Sequence, residues 1–484
     1  MKKFFLTNLI FLLTLNILIK SFWILGIDRS VQNVLPAGEY GIYYALLNFT
    51  YIFNIILDLG ITQFNNRTIA QNSSLLKKYF VKIIPLKLLL ALVYAVVVIV
   101  VAKISNYDSK AMFLVRWLCV FQILTSLLTY LRSNISSLML FKTDSVLSVL
   151  DKSLTIIFCS ILLWTNVLKG GMRIEYFVYV QVLSMAIACL VALVICLKKT
   201  HFIKPVWDTK FMLKILKFGF PYALLTLLMS FYNRVDSVMI ERLLADGKEQ
   251  AGIYASGFRL VDSINMIAYL FSVILLPLFA KMIKEKQDLQ PIIKSSFQLL
   301  LFIGVSFVSL SIAYSTELME LLYNKHIEQS ASVFSVLCVC FIPISMVYIF
   351  GTLLTSNGNL KYLNIVALGG MIINIVINLI LIPQYKALGS AWSAVITQTL
   401  TSLIQAIIAL RLFKIKVSWR YGVRVLIFVL LIALSSVIIR AFDTLWYYRV
   451  IVSLICFVLI SFGCKIFSVS ELSAYATEII KSKK

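Results

Sequence analysis

Long apolar segments separated by short polar loops recur along the whole chain. A helix needs about 20 mostly apolar residues to cross a bilayer. Windows of that kind begin near fourteen positions: Phe4, Gly41, Val81, Ala111, Ser145, Tyr176, Phe218, Ile253, Ile293, Ala331, Lys361, Ala387, Arg420 and Trp446. The runs are unbroken rather than alternating, which favours helices over the strands of a membrane barrel. The pattern therefore predicts an all-α polytopic membrane protein with about 14 transmembrane helices.

Composition and charge agree with a chain that is solvated mainly by lipid. Hydrophobic residues make up 61% of the 484 residues and charged residues 14%, and the mean hydropathy of +0.95 excludes a soluble domain. The net charge is +24, but of the 45 Lys and Arg residues 28 fall on the side of the N-terminus, 11 on the other side and six within segments. The positive-inside rule then predicts that both termini are cytoplasmic. The basic loops are expected to face anionic membrane lipids, with no nucleic-acid partner.

The chain also repeats itself. Gly41-Ile42-Tyr43 opens the second segment after a loop of net negative charge, and Gly252-Ile253-Tyr254 opens the eighth after another, at an offset of 211 residues. Six helices fill this offset, which indicates a duplicated six-helix unit. We expect an N-terminal six-helix lobe at residues 1–200, a C-terminal six-helix lobe at 201–415, and a final helix pair with a cytoplasmic tail at 416–484. The two pseudo-symmetric lobes would flank a central cavity.

Several motifs resemble those of a known family. Leu35-Pro-Ala-Gly-Glu-Tyr-Gly-Ile-Tyr43, with Leu57-Asp-Leu-Gly60 and Arg67, looks like the first-half signature of the Wzx-type polysaccharide flippases. These belong to the multidrug/oligosaccharidyl-lipid/polysaccharide (MOP) exporter superfamily. Three further motifs resemble the start of that family's second half: Phe218-Gly-Phe-Pro221, Arg234-Val-Asp236 and Gly252-Ile-Tyr254. The family's eleventh-to-twelfth helix connection is similar to Leu381-Ile-Pro383-Gln-Tyr385 with Ala387-Leu-Gly389-Ser-Ala391. The resemblance covers almost the whole chain, through the order and spacing of these motifs.

The resemblance implies a MATE-like fold and a specific activity. Such a flippase moves undecaprenyl-pyrophosphate-linked oligosaccharide, for example an O-antigen or capsule unit, from the inner to the outer leaflet of the bacterial cytoplasmic (inner) membrane by alternating access. Candidate protein partners are a polysaccharide polymerase or a glycosyltransferase. A lipid II flippase or a multidrug cation antiporter of the same superfamily is the alternative, although organic cations fit poorly into a cavity of net positive charge.

Charged residues inside the predicted segments are the candidate functional residues. Each costs roughly 2.5–3.5 kcal/mol at a helix centre, so each requires a partner or a wet cavity. The acids are Asp58, Asp151, Asp236 and Asp262, and they face six bases, which leaves a net interior charge of +2. Two of the bases, Lys87 and Arg116, lie near helix ends and are expected to snorkel or to form internal salt bridges. The deeper bases are the predicted contacts of a pyrophosphate: Arg259 first, supported by Arg234, Lys20 and Lys152.

Polar stripes at helical spacing predict where an aqueous cleft would lie. Arg234 shares a stripe with Thr226 and Ser230, and Arg259 shares one with Ser256, Ser263 and Asp262, which is the obvious internal partner for Arg259. On the second segment Asn48 and Tyr51 lie on the face of Asp58. Asn48 and Tyr51, like Asn374 and Asn378, offer hydrogen bonds and stacking to sugars. The alternative is that these stripes only hold helices together.

Energy coupling by ATP is not expected, because no Gly-x-x-x-x-Gly-Lys-Ser/Thr loop is present. The carboxylates Asp58, Asp236 and Asp262 are candidates for taking up a coupling proton or sodium ion. Internal pairing with neighbouring bases is the equal alternative. We expect no cofactor and no metal site. The outer loops, about 15 residues or shorter, leave little room for the acid/base residues of a membrane enzyme, which favours a transporter.

Overall fold

The computed structural model describes residues 14–16, 18–36, 38–138, 140–165, 171–200, 205–415 and 418–466. Throughout this part of the chain the regular structure is helical, with no strand. In chain order the helices are α1 (residues 18–34), α2 (Glu39–Ile52), α3 (Ile61–Gln71), α4 (Leu76–Ile104), α5 (Ser109–Ser137), α6 (Phe141–Trp164), α7 (Ile174–Thr200), α8 (Thr209–Leu243), α9 (Gly247–Lys284), α10 (Gln290–Ala313), α11 (Ser315–Leu322), α12 (Ile327–Ser356), α13 (Leu360–Leu412), α14 (Trp419–Arg440) and α15 (Trp446–Gly463).

Each predicted apolar segment coincides with a helix, although Phe4 at the start of the first lies outside the described residues. In the part of the chain that the structure describes, eleven helices are long and apolar enough to cross a membrane. One of them, α13, has 53 residues, which is enough for two crossings, and Lys386 in its middle departs from helical geometry with φ 54°. The remaining two segments are α1 and α8, which carry Lys20 and Arg234. The prediction of an all-α polytopic membrane protein is confirmed.

Internal contacts divide the chain into two compact units. The first contains residues 1–263 and 360–390, and the second contains residues 264–359 and 391–484. This division reflects packing density, whereas the two lobes follow from internal repetition of the sequence. The lobe boundaries at residues 200 and 415 therefore stay a prediction.

Each unit has its own apolar core. In the first unit, helices α3 to α8 contribute to one cluster that includes Ile61, Leu90, Tyr130, Ala188 and Ile215, all buried. In the second unit, α10, α14 and α15 pack through Val305, Phe428 and Phe457. Most of the remaining surface of α14 and α15 is apolar and exposed, as lipid-facing helices require.

Two helices of the first unit are irregular where acidic residues occur. In α1 the residues Trp23–Asp28 form a π-helical turn, a distortion that is frequent at functional sites. Helix α2 continues as a 3-10 helix over Phe53–Leu57 and then turns. Leu59 and Gly60 in this turn have φ values of 44° and 77°. Asp28 and Asp58 thus both lie at breaks in a membrane helix.

Candidate functional site

Arg259 of α9 is paired with a carboxylate that the sequence pattern did not single out. Its Nε lies 3.0 Å from Oδ2 of Asp28 in the π-helical turn of α1. The hydroxyl of Tyr40 donates to the same oxygen at 2.7 Å and accepts from Arg259 Nε at 3.3 Å. The guanidinium also lies 5.0 Å from the ring centroid of Tyr44. Within the described residues Asp262 is not at ion-pair distance from Arg259, so the expectation that it is the internal partner is wrong.

The pair is well shielded from water. The side chain of Asp28 is 2% exposed and that of Arg259 is 14% exposed, which makes each charge depend strongly on the other. Oδ1 of Asp28 has no hydrogen-bond partner among the described residues. The sequence pattern places Asp28 in a polar loop, because it follows the apolar stretch Trp23–Ile27 and is followed by Arg29, Ser30, Gln32 and Asn33.

Arg234 of α8 is held differently, without an ion pair to any residue that the structure describes. Its guanidinium carbon lies 5.1 Å from the ring centroid of Tyr51 and 5.8 Å from that of Phe258. One nitrogen is 3.5 Å from Oδ1 of Asn48, whose Nδ2 donates to Ser237 Oγ at 2.9 Å. Aromatic faces attract a cation without neutralising it. Arg234 therefore keeps its full charge in a fixed, half-buried position.

Lys20 and Lys152 extend this positive region into α1 and α6. Nζ of Lys152 lies 3.5 Å from the carboxylate of Asp151 and 4.8 Å from the ring centroid of Trp23. Lys20 has no carboxylate at ion-pair distance within the described ranges, but the charges of Asp151 and Asp262 act on it. The charge of Asp262 also acts on Arg234. The four predicted cations therefore belong to one electrostatic neighbourhood in the first unit.

Asp236 of α8 lies in a polar network of a different kind, and its side chain is buried. Oδ1 accepts from Nδ2 of Asn378 at 2.7 Å and from Nδ2 of Asn374 at 3.1 Å, while Oδ2 accepts from the hydroxyl of Tyr254 at 2.9 Å. No basic side chain of the described chain lies at ion-pair distance from it. Asn374 and Asn378 are 0% exposed, so in this structure both amides make helix contacts, which was the alternative to a contact with sugars. Oδ1 of Asn378 has no hydrogen-bond partner in the part of the chain that is described.

Asp58, at the turn after α2, is paired with Lys87 of α4. Lys87 Nζ lies 2.5 Å from Asp58 Oδ1, and it also donates to the carbonyl of Leu57 at 2.9 Å and to Ser126 Oγ at 3.2 Å. The Lys87 side chain is only 5% exposed. Lys87 is thus held by an internal salt bridge, one of the two roles expected for it, whereas Arg116 is exposed. Asp58 also accepts from the backbone N–H and the hydroxyl of Thr62 in the first turn of α3.

These contacts define two kinds of polar site in the first unit. Arg234 and Arg259 present guanidinium groups beside the aromatic side chains of α2 and α9, an arrangement that suits a phosphate. Asp236 presents a carboxylate among amide and hydroxyl groups, an arrangement that suits a proton or a small cation. Among the described residues no group of three His, Cys, Asp or Glu side chains is placed to hold a metal ion.

Solved structures similar to this chain include membrane transporters. A lipid II flippase, MurJ, in an inward closed conformation matches 96% of this chain and 99% of its own with a TM-score of 0.69 and 13% identity. An inward-facing multidrug resistance MATE family transporter of the MOP superfamily matches 83% of this chain and 94% of its own with a TM-score of 0.61 and 14% identity. A MOP superfamily transporter from Pyrococcus furiosus, described as having a binding pocket of reverse polarity, matches 84% of this chain and 95% of its own with a TM-score of 0.51 and 14% identity.

At sequence level no curated protein matches the chain. Residues 5–283 match the family described as polysaccharide biosynthesis protein. That match covers more than half of the chain, including α1 to α9 and the residues that hold Arg234 and Arg259. The structural similarity at low identity adds the fold. The chain therefore belongs to the polysaccharide biosynthesis protein family and has the multi-pass membrane fold of the MOP superfamily transporters.

Proposed function

We propose that this protein is a flippase that moves undecaprenyl-pyrophosphate-linked oligosaccharide from the inner to the outer leaflet of the bacterial cytoplasmic membrane by alternating access. Both termini lie in the cytoplasm in this proposal. The observation that carries it is Arg234, a half-buried guanidinium that two aromatic rings and an amide hold in place, with no carboxylate of the described residues at ion-pair distance. A fixed and uncompensated arginine repels an organic cation, and it offers a phosphate two parallel hydrogen bonds.

Arg259 is the second proposed contact of the pyrophosphate, and Asp28 is its counter-ion in the absence of substrate. A pyrophosphate carries more negative charge than one carboxylate, so it can compete for the Arg259 guanidinium when it enters the site. The unsatisfied Oδ1 of Asp28 shows that the resident pair is not saturated with hydrogen bonds. Lys20 and Lys152 then raise the local positive potential and favour entry of the anion.

Asn48 and Tyr51 are proposed to act on the substrate through Arg234. Asn48 is buried and acts in this way alone, whereas the half-buried Tyr51 also contacts the glycan in this proposal. The Asn48 amide is oriented by Ser237, which leaves its oxygen directed to Arg234. Tyr51 is half-buried and stacks with the same guanidinium. Because these contacts set the plane of the guanidinium, they determine the direction from which a phosphate is bound.

Ion coupling is assigned to Asp236 within this proposal. The carboxylate has three hydrogen-bond donors and no basic partner among the described residues, so a proton or sodium ion would balance a charge that the protein itself leaves uncompensated. Asp58 already has Lys87 as its counter-ion. Asp262 lies between cations and is the third candidate. The proposed activity needs no chemistry beyond binding and conformational change, which is consistent with a transporter and not an enzyme.

The decisive experiment compares Arg234 with Arg116, an exposed arginine on α5, in proteoliposomes that contain a labelled undecaprenyl-pyrophosphate-linked oligosaccharide. The measurement is the fraction of substrate that becomes accessible from the opposite leaflet. Arg234→Ala should reduce the initial rate at least tenfold and Arg234→Lys should keep a partial rate, while Arg116→Ala should leave it unchanged. Full transport by Arg234→Ala would refute the proposal. Transport of lipid II, with none of the oligosaccharide lipid, would support the alternative substrate.

A further inference from the structure

Two glycine contacts join the repeat halves at opposite ends of α2. At one end, a Cβ atom on Gly41 would collide with the carbonyl of Lys248 and lie 2.6 Å from the backbone nitrogen of Gly252 in α9. At the other end, a Cβ atom on Gly60 would lie 2.8 Å from the Cα of Gly219 in α8. Neither contact leaves room for a side chain. Backbone therefore meets backbone at both ends of α2, and the repeated Gly-Ile-Tyr tripeptides provide one of the two contacts.

The contact between Gly60 and Gly219 depends on the break after α2. Regular helix would not bring a backbone carbonyl sideways toward α8, but the turn at Leu59 and Gly60 does so, since both residues have positive φ. A Cβ atom on Gly219 would in turn collide with the carbonyl of Leu59. Whatever fixes the turn therefore fixes this contact.

Lys87 fixes the turn. Its ammonium group has three acceptors, namely the Leu57 carbonyl, the Asp58 carboxylate and the Ser126 hydroxyl. Two of the three belong to the last residues before the turn, and the third anchors the lysine to α5. The ammonium is nearly buried, so salt screens these contacts little. Lys87 thus stabilises the contact between Gly60 and Gly219 by fixing the turn that forms it.

The contact between Gly41 and Gly252 has exposed ion pairs beside it. Lys248, whose carbonyl packs on Gly41, lies 3.2 Å from Asp108 with side chains 53% and 56% exposed. Near Lys248 along the chain, Asp246 forms a second pair: its Oδ2 lies 2.7 Å from Nζ of Lys386, and the side chains of Lys386 and Asp246 are 54% and 37% exposed. Exposed pairs of this kind contribute little and are screened by salt. The two glycine contacts therefore differ in how they are stabilised. The contact of Gly60 with Gly219 is stabilised by the ion pair of the buried Lys87, and the contact of Gly41 with Gly252 by surface ion pairs.

We propose that Lys87 is a positioning residue that holds the α2 break against Gly219 and so keeps closed the side of the transporter that is predicted to face the cytoplasm. Gly41 and Gly252 form the corresponding closure on the predicted outer side. Loss of the Lys87 clamp should release the first closure and leave the second intact. This inference rests on the proposed alternating access, but it is tested by distances and not by transport.

The test uses pairs of spin labels in the full-length protein in lipid nanodiscs, with distances measured by pulsed electron paramagnetic resonance. One pair, on Ser74 and Lys217, reports the separation of α3 and α8 near Gly219. The other, on Ser109 and Ala245, reports the predicted outer side. All four positions are exposed. The native cysteines are free, and the two that are not buried, Cys456 and Cys464, are replaced to prevent labelling.

Lys87→Met should raise the open-to-closed ratio at the first pair at least tenfold and leave the second pair unchanged, while Lys87→Arg should behave as the unmodified chain does. Gly219→Ala should reproduce the effect of Lys87→Met by steric means. Gly41→Ala is the matched control and should widen only the second pair, because its Cβ atom would collide with the carbonyl of Lys248. Salt at 0.5 M, which shortens the Debye length to about 4 Å, should also widen only the second pair. An unchanged first pair in both Lys87→Met and Gly219→Ala, with thermal unfolding as in the unmodified chain, would overturn the proposal. If the distances respond as expected while the oligosaccharide lipid is not transported, only the proposed function fails.

Discussion

Replacing Arg259 and replacing Arg234 should have very different effects on stability, although both are arginines in one positive region. Arg259→Ala leaves Asp28, which is 2% exposed, without its counter-ion. Removing one partner of a buried pair costs about 3–5 kcal/mol, and the partial exposure of Arg259 places the expected loss near the lower figure, about 3 kcal/mol. Arg234→Ala leaves no carboxylate unpaired and removes two ring contacts, each worth about 0.5–1 kcal/mol. Its expected loss is therefore about 1–2 kcal/mol.

Reversible unfolding by sodium dodecyl sulfate, followed by tryptophan fluorescence in mixed micelles, measures these free energies of unfolding. A double-mutant cycle with Asp28→Ala isolates the pair, because the double variant has neither charge. We expect Arg259→Ala with Asp28→Ala to be more stable than Arg259→Ala alone, with a coupling of about 2 kcal/mol. Equal losses in the two arginine variants, or additive effects in the cycle, would refute the assignment of Asp28 as the resident partner.

Two further variants test the other polar groups. Asp236→Asn should remove the dependence of transport on the driving ion gradient while substrate binding, measured by fluorescence anisotropy, stays within about twofold; unchanged ion dependence would assign coupling elsewhere. Asp108 accepts a hydrogen bond from the backbone N–H of Ala111 at 2.7 Å, and this bond, together with Lys248, lowers the pKa of the Asp108 carboxyl. A lowered pKa stabilises the folded state at pH values above the unfolded-state pKa of about 3.9. This stabilisation disappears as the pH falls through the folded-state pKa. Asp108→Asn, which keeps the helix cap, should therefore melt below the unmodified chain at pH 7, and the difference should disappear as the pH falls through the folded-state pKa of Asp108. A difference that does not change with pH would contradict this reasoning.

The fold was readable from the sequence because lipid imposes a strong rule. Backbone polar groups in a bilayer must be satisfied within a segment, so each span becomes a long apolar helix with visible ends. The prediction was least direct at α13, where the chain continues as helix through Lys386 and no polar loop marks the join. Even there the two spans are visible, since Pro383 and the following residues interrupt the apolar pattern.

The partners of the charged residues were not readable, because they depend on which helices become neighbours. Spacing along α9 places Asp262 one turn from Arg259, yet Arg259 reaches across to α1. Similarly, Lys87 lies near a helix end, but the break after α2 brings acceptors to it. Helical periodicity gives the face of a residue and contains no information about the rotation of the next helix. Asp236 illustrates the same limit, since its amide partners are more than a hundred residues away in α13.

The ion pairs in the structure change how much of the net positive charge counted from the sequence is left uncompensated inside the membrane segments. Counted from sequence, six bases face four acids, but Lys87 is neutralised by Asp58, Arg116 is exposed, and Asp28 adds a fifth acid that compensates Arg259. With Lys152 beside Asp151, the cations without a carboxylate at ion-pair distance in the described chain are Lys20 and Arg234, which share the field of Asp262. The resting site is then only weakly positive. A pyrophosphate can gain further bonds only by drawing Arg259 away from Asp28, and the carboxylate left behind in a buried position must be solvated or protonated. In the proposed flippase, substrate binding and charge uptake would thus be linked through Arg259, in addition to the coupling proposed for the network of Asp236.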